Sequence, residues 1–322
     1  MTTPPPHLVQ RFTRDLGAFT PGTRLGLAVS GGPDSLALFL LAHAAFPDRI
    51  EAATVDHGLR PEAADEAAAV ARLCAALGVP HATLSASVAP GGPGLQANAR
   101  HARYAALGRW IADRDLPVLL TAHHADDQAE TLLMRLNRGS GVGGLAGIRP
   151  RGPLPGSSAP GGPGLVRPLL AWRRAELAAI VADAGLRPAQ DPSNLDPAFD
   201  RARLRAQLAD APWLDPAALA RAAAHLADAE EALAWTADRL WAERARVDGG
   251  SLALDGADLP PELELRLLRR SLATLAPNAT PRSAELLRLR DTLQRGDTAI
   301  LAGVLARGGR PWCFSLAPAR RG

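Results

Sequence analysis

Lysine is absent from this 322-residue chain: all 36 of its basic residues are arginine. Much alanine, arginine, glycine and proline without lysine is what a GC-rich coding bias produces, yet the absence has a chemical consequence. No side chain here can serve as a Schiff-base nucleophile or as the ammonium point charge of many phosphate sites. Any lysine in the chemistry must come from outside the chain. Cysteine is scarce as well. Cys74 and Cys313 are the only two, which excludes a disulfide scaffold and a four-thiolate zinc site. Aromatic residues make up 4%, too few for a binding mode built mainly on stacked bases. No apolar run approaches the roughly 20 residues that cross a membrane. The opening MTTPPPHLVQRFTR has no apolar segment of the signal-peptide kind. A cytoplasmic protein without a membrane partner is expected.

What is present is enough for a sizeable core: 47% of residues are hydrophobic and 21% charged, and the length suggests two domains. The formal charge of +3 hides an uneven distribution. Between Thr131 and Ala175 there are seven arginines and no Asp or Glu, and from Pro260 onward eleven arginines face five acids. Such tracts suit phosphate backbones, RNA among them, and are equally consistent with a solvated surface.

Short apolar runs alternate with helical patterns through the first 135 residues or so. Strands are expected over 25–29, 50–55, 79–84 and 117–122, and helices over 35–45, 62–77, 96–112 and 126–137. That alternation predicts an α/β domain with a parallel sheet covered on both faces. The Gly-, Pro- and Ser-rich stretch 139–164 reads as a long loop, a candidate substrate-facing lid. Helices follow over 172–184, 197–208 and 217–246, the last with Leu219, Leu226, Leu233 and Leu240 seven apart, as in a spacer helix. Two more helices (261–275, 281–293) and two strands (299–305, 312–316) predict a small α+β domain at the end. The expected division is 1–215 catalytic, 216–250 helical linker and 251–322 C-terminal.

The strongest local signal is Ser30-Gly31-Gly32-Pro33-Asp34-Ser35, which leaves a strand and opens a helix. There, backbone N–H groups and the helix dipole can hold a phosphate. Glycines permit the tight turn, and Ser30 and Ser35 add hydroxyls. The ending is not that of a Walker A loop. Asp34 repels a bare phosphate, so its expected role is to hold Mg²⁺ against one. Alone, the turn reads equally well as a helix cap. Asp56 and His57 end a second strand, at the edge where parallel sheets bind ligands. Arg100 and Arg103 share a helix face, as a phosphate clamp requires, or as an exposed basic face does. His123 and His124 end another strand, with Asp127 and Glu130 on the next helix. Two imidazoles and two carboxylates raise zinc, but adjacent histidines rarely aim at one metal.

These elements together resemble the PP-loop (N-type) ATP pyrophosphatases, and within them the tRNA(Ile)-lysidine synthetases. The matches run in order from the glycine turn through Val55-Asp56-His57-Gly58-Leu59-Arg60 to Ala99-Arg100-His101-Ala102-Arg103-Tyr104. Thr121-Ala122-His123-His124-Ala125-Asp126-Asp127-Gln128-Ala129-Glu130-Thr131, Arg138-Gly139-Ser140-Gly141 and Arg167-Pro168-Leu169-Leu170 follow, then Asp191-Pro192-Ser193-Asn194 and the 201–205 segment. The resemblance covers about 24–210, and the tail is similar to the family's small tRNA-binding C-terminal domain, with room for one such domain.

The resemblance implies that Asp127 joins Asp34 around Mg²⁺ and the ATP triphosphate. His123 and Glu130 would be catalytic neighbours, and Arg205 would approach the activated intermediate or the tRNA. It implies attack of the first anticodon cytidine of a CAU-bearing tRNA(Ile) on ATP, then displacement of AMP by free L-lysine. A homodimer is allowed for. Ala202 stands where the family usually has Asn, and Ala63 where serine is common, so one amide hydrogen bond is in doubt. Two rival readings stay open. A tRNA thiolase of the same family would want paired cysteines, and this chain has no CxxC. A non-catalytic RNA-binding relative would be indifferent to lysine.

Overall fold

Each short apolar run of the first two hundred residues becomes a strand of one sheet, and each helical pattern packs on it. The computed structural model describes residues 2–58, 62–86, 95–156, 162–189, 200–256 and 258–318; of Glu62, Leu95, Gln96, Asp200 and Arg201 only the backbone is described. The chain forms two compact units, Met1–Ala227 and Asp228–Gly322. The first unit runs α1 (Pro6–Leu16), β1 (Leu25–Ala28), α2 (Pro33–Ala45), β2 (Ile50–Asp56), α3 (Glu62–Ala76), β3 (His81–Ser85) and α4 (Leu95–Asp113). It continues through β4 (Val118–Leu120), α5 (Ala125–Leu136), α6 (Val142–Leu145), β5 (Arg151–Pro153), β6 (Gly164–Val166), α7 (Arg174–Asp183) and α8 (Asp200–Ala209).

The strand order is β3-β2-β1-β4-β6-β5, parallel except for β5, which runs antiparallel to β6. Strand alternation sorts the side chains onto two faces. Leu25, Leu27, Val118 and Leu120 pack with Phe12, α2 and α7 on one face. Ala53, Leu119 and Leu165 pack with Tyr104, Leu107, Trp110 and Ile111 of α4 on the other. Helix α4 lies so close to β1 that a Cβ at Gly26 would sit 2.6 Å from Ile111 Cδ1 and 3.1 Å from the Trp110 ring. Between β1 and β4 the winding reverses, and the crevice beyond the carboxyl ends of those two strands is where such sheets bind ligands.

Three local expectations are corrected. The supposed continuous loop over 139–164 carries α6 and β5. Side chains of α5 tie it down: Arg135 donates to the Gly144 and Gly147 carbonyls at 2.5 and 3.2 Å. The Gln128 amide donates to the Ile148 carbonyl and accepts from its N–H. Helix α1 was not expected at all, though it buries Phe12 and Leu16. In the tail, the single strand over 299–305 is a hairpin.

The second unit begins within helix α9 (Pro216–Arg244), followed by β7 (Ala245–Asp248), β8 (Ser251–Leu254), α10 (Pro261–Leu275), α11 (Ser283–Gln294), β9 (Thr298–Leu301), β10 (Val304–Arg307) and β11 (Trp312–Leu316). Its antiparallel sheet has the order β7-β8-β11-β10-β9. Ala302 and Gly303, both at positive φ, make the two-residue turn that splits the expected strand. Leu252, Leu254, Val304, Trp312 and Phe314 bury one face against leucines of α10 and α11. No helix of the described residues is long and apolar enough to cross a membrane.

Candidate active site at the carboxyl edge of the parallel sheet

The glycine turn links β1 to α2. Gly31 sits at φ +85°, a conformation costly for any residue with a Cβ, and its carbonyl accepts the Ala189 N–H at 2.9 Å. Gly32 is the extended N-cap of α2, and Pro33 and Asp34 form its first turn. The two serines hold the turn's shape. Ser35 Oγ accepts the Ser30 N–H at 3.1 Å, donates to the Gly32 carbonyl at 3.0 Å and lies 3.2 Å from Ser30 Oγ. The positive end of the α2 dipole therefore opens beside Asp34.

Strand β4 ends next to it and delivers the rest. His124, 3% exposed, places Nε2 3.4 Å from Asp34 Oδ2 and 3.6 Å from Asp127 Oδ2, while Nδ1 lies 3.6 Å from Asp126 Oδ2. Burial works against the imidazolium, but Asp126, Asp34 and Asp127 outweigh it and hold the His124 pKa up at about 10. Asp126 also accepts from Arg173 and from the Arg174 N–H. Its burial would raise its pKa, yet His124 and these donors keep it well below the carboxylate range. The sequence reading named His123 among the catalytic candidates, with Asp34, Asp127, Glu130 and Arg205. In the structure His123 Nδ1 lies 3.0 Å from Thr121 Oγ1, and His124, which was not among those candidates, meets Asp34 and Asp127.

One helical turn beyond Asp127, Glu130 is buried at 2% exposure and accepts from Arg205 Nε at 2.8 Å. Burial disfavours the Arg205 charge, but Glu130, with Asp127 and Asp34 adding at longer range, raises its pKa above the ordinary value. These four residues form one electrostatic group spread over α2, α5 and α8. Beside it, between α5 and α8, an open groove of about 440 Å³ is lined by Met134, Asn137, Arg138, Arg203, Leu204 and Gln207.

At the β2 end, Asp56 Oδ1 accepts the Gly58 N–H at 2.8 Å. Burial and the nearby Arg103 push the His57 pKa down. Arg100 and Arg103 flank the Tyr104 ring, their guanidinium carbons 4.9 and 5.4 Å from its centroid. Leu59, Arg60, Asp191, Pro192, Ser193, Asn194 and the Arg201 side chain lie outside the described residues. Ala202 is half-buried on α8.

Among the described residues, no three His, Cys, Asp or Glu side chains come together as a metal site. Mg²⁺ asks for less: one or two carboxylates, with phosphates and water completing its shell. Asp34 and Asp127 fit that demand. Asp34 Oδ1 is buried without a hydrogen-bond partner, and the other oxygen shares a cationic neighbour with Asp127.

Comparison with known proteins agrees with this geometry. The PP-loop domain family matches residues 6–211. The chain is 50% identical to a tRNA(Ile)-lysidine synthase of Novosphingobium aromaticivorans over 97% of this chain and 94% of that one. It is 46% identical to the tRNA(Ile)-lysidine synthase of Zymomonas mobilis over 92% and 90% of the two chains. Among solved structures, the U34-tRNA thiolase NcsA from Methanococcus maripaludis shares the fold, with a TM-score of 0.56 at 17% identity over 69% of this chain and 79% of that one. Matched across nearly its whole length by relatives of that kind, the chain is a PP-loop protein and belongs to the tRNA(Ile)-lysidine synthase family.

Proposed function

We propose that this chain uses ATP to join free L-lysine to C2 of the first anticodon cytidine of a CAU-bearing tRNA(Ile), releasing AMP and pyrophosphate. The observation that carries the reading is the meeting of Asp34 and Asp127 at one imidazolium beside the glycine turn, at the switch point of the sheet. Family membership supplies the substrates.

The cytidine O2 attacks the α-phosphorus of ATP, the bond to the β-phosphate oxygen breaks, and pyrophosphate leaves. The lysine side-chain amine then attacks C2 and gives up a proton, and the C2–O bond breaks to release AMP. Negative charge grows on the leaving groups in both steps, and the α2 N-terminus, Arg100, Arg103 and Arg205 would offset it. Asp34 and Asp127 would hold Mg²⁺, which supplies charge neutralisation for the phosphates when bound. His124 keeps those two carboxylates together, and Asp126 with Arg173 anchors His124 from behind. Glu130 would accept the amine's proton. It is buried, Arg205 balances its charge, and its Oε2 has no partner.

The test is AMP release from ATP and Mg²⁺ in the presence of an unmodified CAU-bearing tRNA(Ile) transcript, with and without free lysine. Release that needs both, and that is lost in Asp34→Ala, is expected. Release indifferent to lysine would contradict the assignment of the nucleophile.

A further inference from the structure

Arg173 stands where local rules favour other residues. It is the N-cap of α7, a position that suits Ser, Thr, Asp and Asn because their oxygens accept a free amide of the first turn. Arginine has no acceptor to offer there, and a cation sits badly at the positive end of a helix dipole. The guanidinium is engaged elsewhere. Its Nε and Nη2 donate to the two oxygens of Asp126 at 3.3 and 3.4 Å, and its Nη1 donates to Asp215 Oδ1 at 3.2 Å.

Each of those partners holds something further. Asp126 Oδ2 lies 3.6 Å from His124 Nδ1, and the opposite nitrogen of that ring faces Asp34 and Asp127 at 3.4 and 3.6 Å. Asp215 opens α9, its oxygens accepting the Ala217 and Ala218 N–H groups at 2.9 and 3.1 Å. One guanidinium thus joins the start of α9 to the imidazolium between the two carboxylates. Its fork engages both oxygens of Asp126, which fixes the plane in which that carboxylate meets the ring. A residue that breaks the rule of its own position is expected where a functional demand outweighs the local one.

We propose that Arg173, braced by Asp215, is a positioning residue for the reaction: it orients Asp126 and His124, and through them sets the spacing of Asp34 and Asp127. Asp215 acts one step further back, by holding the third arm of the guanidinium against the cap of α9. The proposal rests on the reading that Asp34 and Asp127 handle the nucleotide and its metal.

Arg173→Ser, Asp215→Ser and the double variant of the full chain test it, because serine supplies a cap oxygen at α7 and keeps one at α9 while breaking the link. Thermal melting, the kinetics of tRNA- and lysine-dependent AMP formation, and the His124 ring proton resonance, assigned by its loss in His124→Gln, are the readouts. Arg173→Ser should melt within about 3 °C of wild type. Its kcat should fall about tenfold, with KM for lysine within about twofold. Asp215→Ser should lower kcat about threefold, and by nothing more once Arg173 is already replaced. The His124 resonance should shift in all three variants. Arg221→Ala, which removes an exposed neighbour of Asp215, should change none of these readouts. Wild-type kcat in the folded variants, an unmoved His124 resonance, or effects that multiply in the double variant would overturn the positioning role and leave the proposed function standing. If Arg173→Ser fails to fold, Asp215→Ser decides by kcat and resonance. A wild-type chain without lysine-dependent AMP formation overturns the proposed function, and the resonance then still decides whether Arg173 orients His124.

Discussion

Glu51 at the amino end of β2 and Glu130 on α5, the helix that follows β4, are both almost fully buried and both held by arginine. The resemblance ends there. Glu51 has both oxygens engaged, one by Arg24 and the other by Arg114 Nε at 2.8 Å. Burial alone would raise its pKa, but the two arginines outweigh burial and lower it. Glu130 has one oxygen on Arg205 and the other on nothing. Asp34 Oδ1, beside the glycine turn, is buried and unmet as well. Burying a polar group without a partner costs about 1–3 kcal/mol, so two at one edge mark a place shaped for something besides its own stability. Glu51 is fully partnered within the chain, and Glu130 is not.

That contrast breaks most sharply at Asp34. Asp34→Asn should lower tRNA- and lysine-dependent AMP formation by about 10³-fold. Its melting temperature should hold or rise, because one of three carboxylates around His124 loses its charge. Next comes Glu130→Gln, which strands the Arg205 guanidinium. About 10²-fold of turnover and roughly 1–3 kcal/mol of stability should go together, read by AMP release and urea unfolding.

Glu51→Gln should do the reverse, costing about 1 kcal/mol because both arginines are half-exposed, with AMP formation within about twofold of wild type. Its pH dependence has a definite sign. A carboxylate whose folded pKa is lowered stabilises the fold above its unfolded pKa and stops doing so as pH falls through the folded value. The gap between wild type and Glu51→Gln in urea unfolding should therefore be full at pH 7 and close on acidification below the ordinary glutamate pKa of 4.5. The smallest effect is expected at Thr121→Val, which removes one partner of the His123 ring. Turnover should fall by about threefold with stability changed by less than about 1 kcal/mol.

Much of this was legible in the residues. The alternation of apolar runs and helices announces the parallel sheet, and the glycine turn with Asp34 and Asp127 announces its carboxyl edge. What escaped had a physical reason each time. Strands β5 and β6 are three residues long, too short to show a period, so their segment reads as loop. The β9–β10 hairpin hides because its turn is Ala302-Gly303, without the Asn or Asp that usually marks one. That His124 meets Asp34 and Asp127 depends on how the chain leaves β4, and spacing does not encode it.

The most direct measurement is mass spectrometry of the RNA product. An unmodified CAU-bearing tRNA(Ile) transcript is incubated with the chain, ATP, Mg²⁺ and isotope-labelled lysine, digested to nucleosides and compared with the same reaction by Asp127→Asn. The account predicts one labelled lysine on the first anticodon cytidine, formed by the wild-type chain and missing with the variant. An unmodified cytidine alongside intact binding of the transcript, or label incorporated equally by Asp127→Asn, would contradict it.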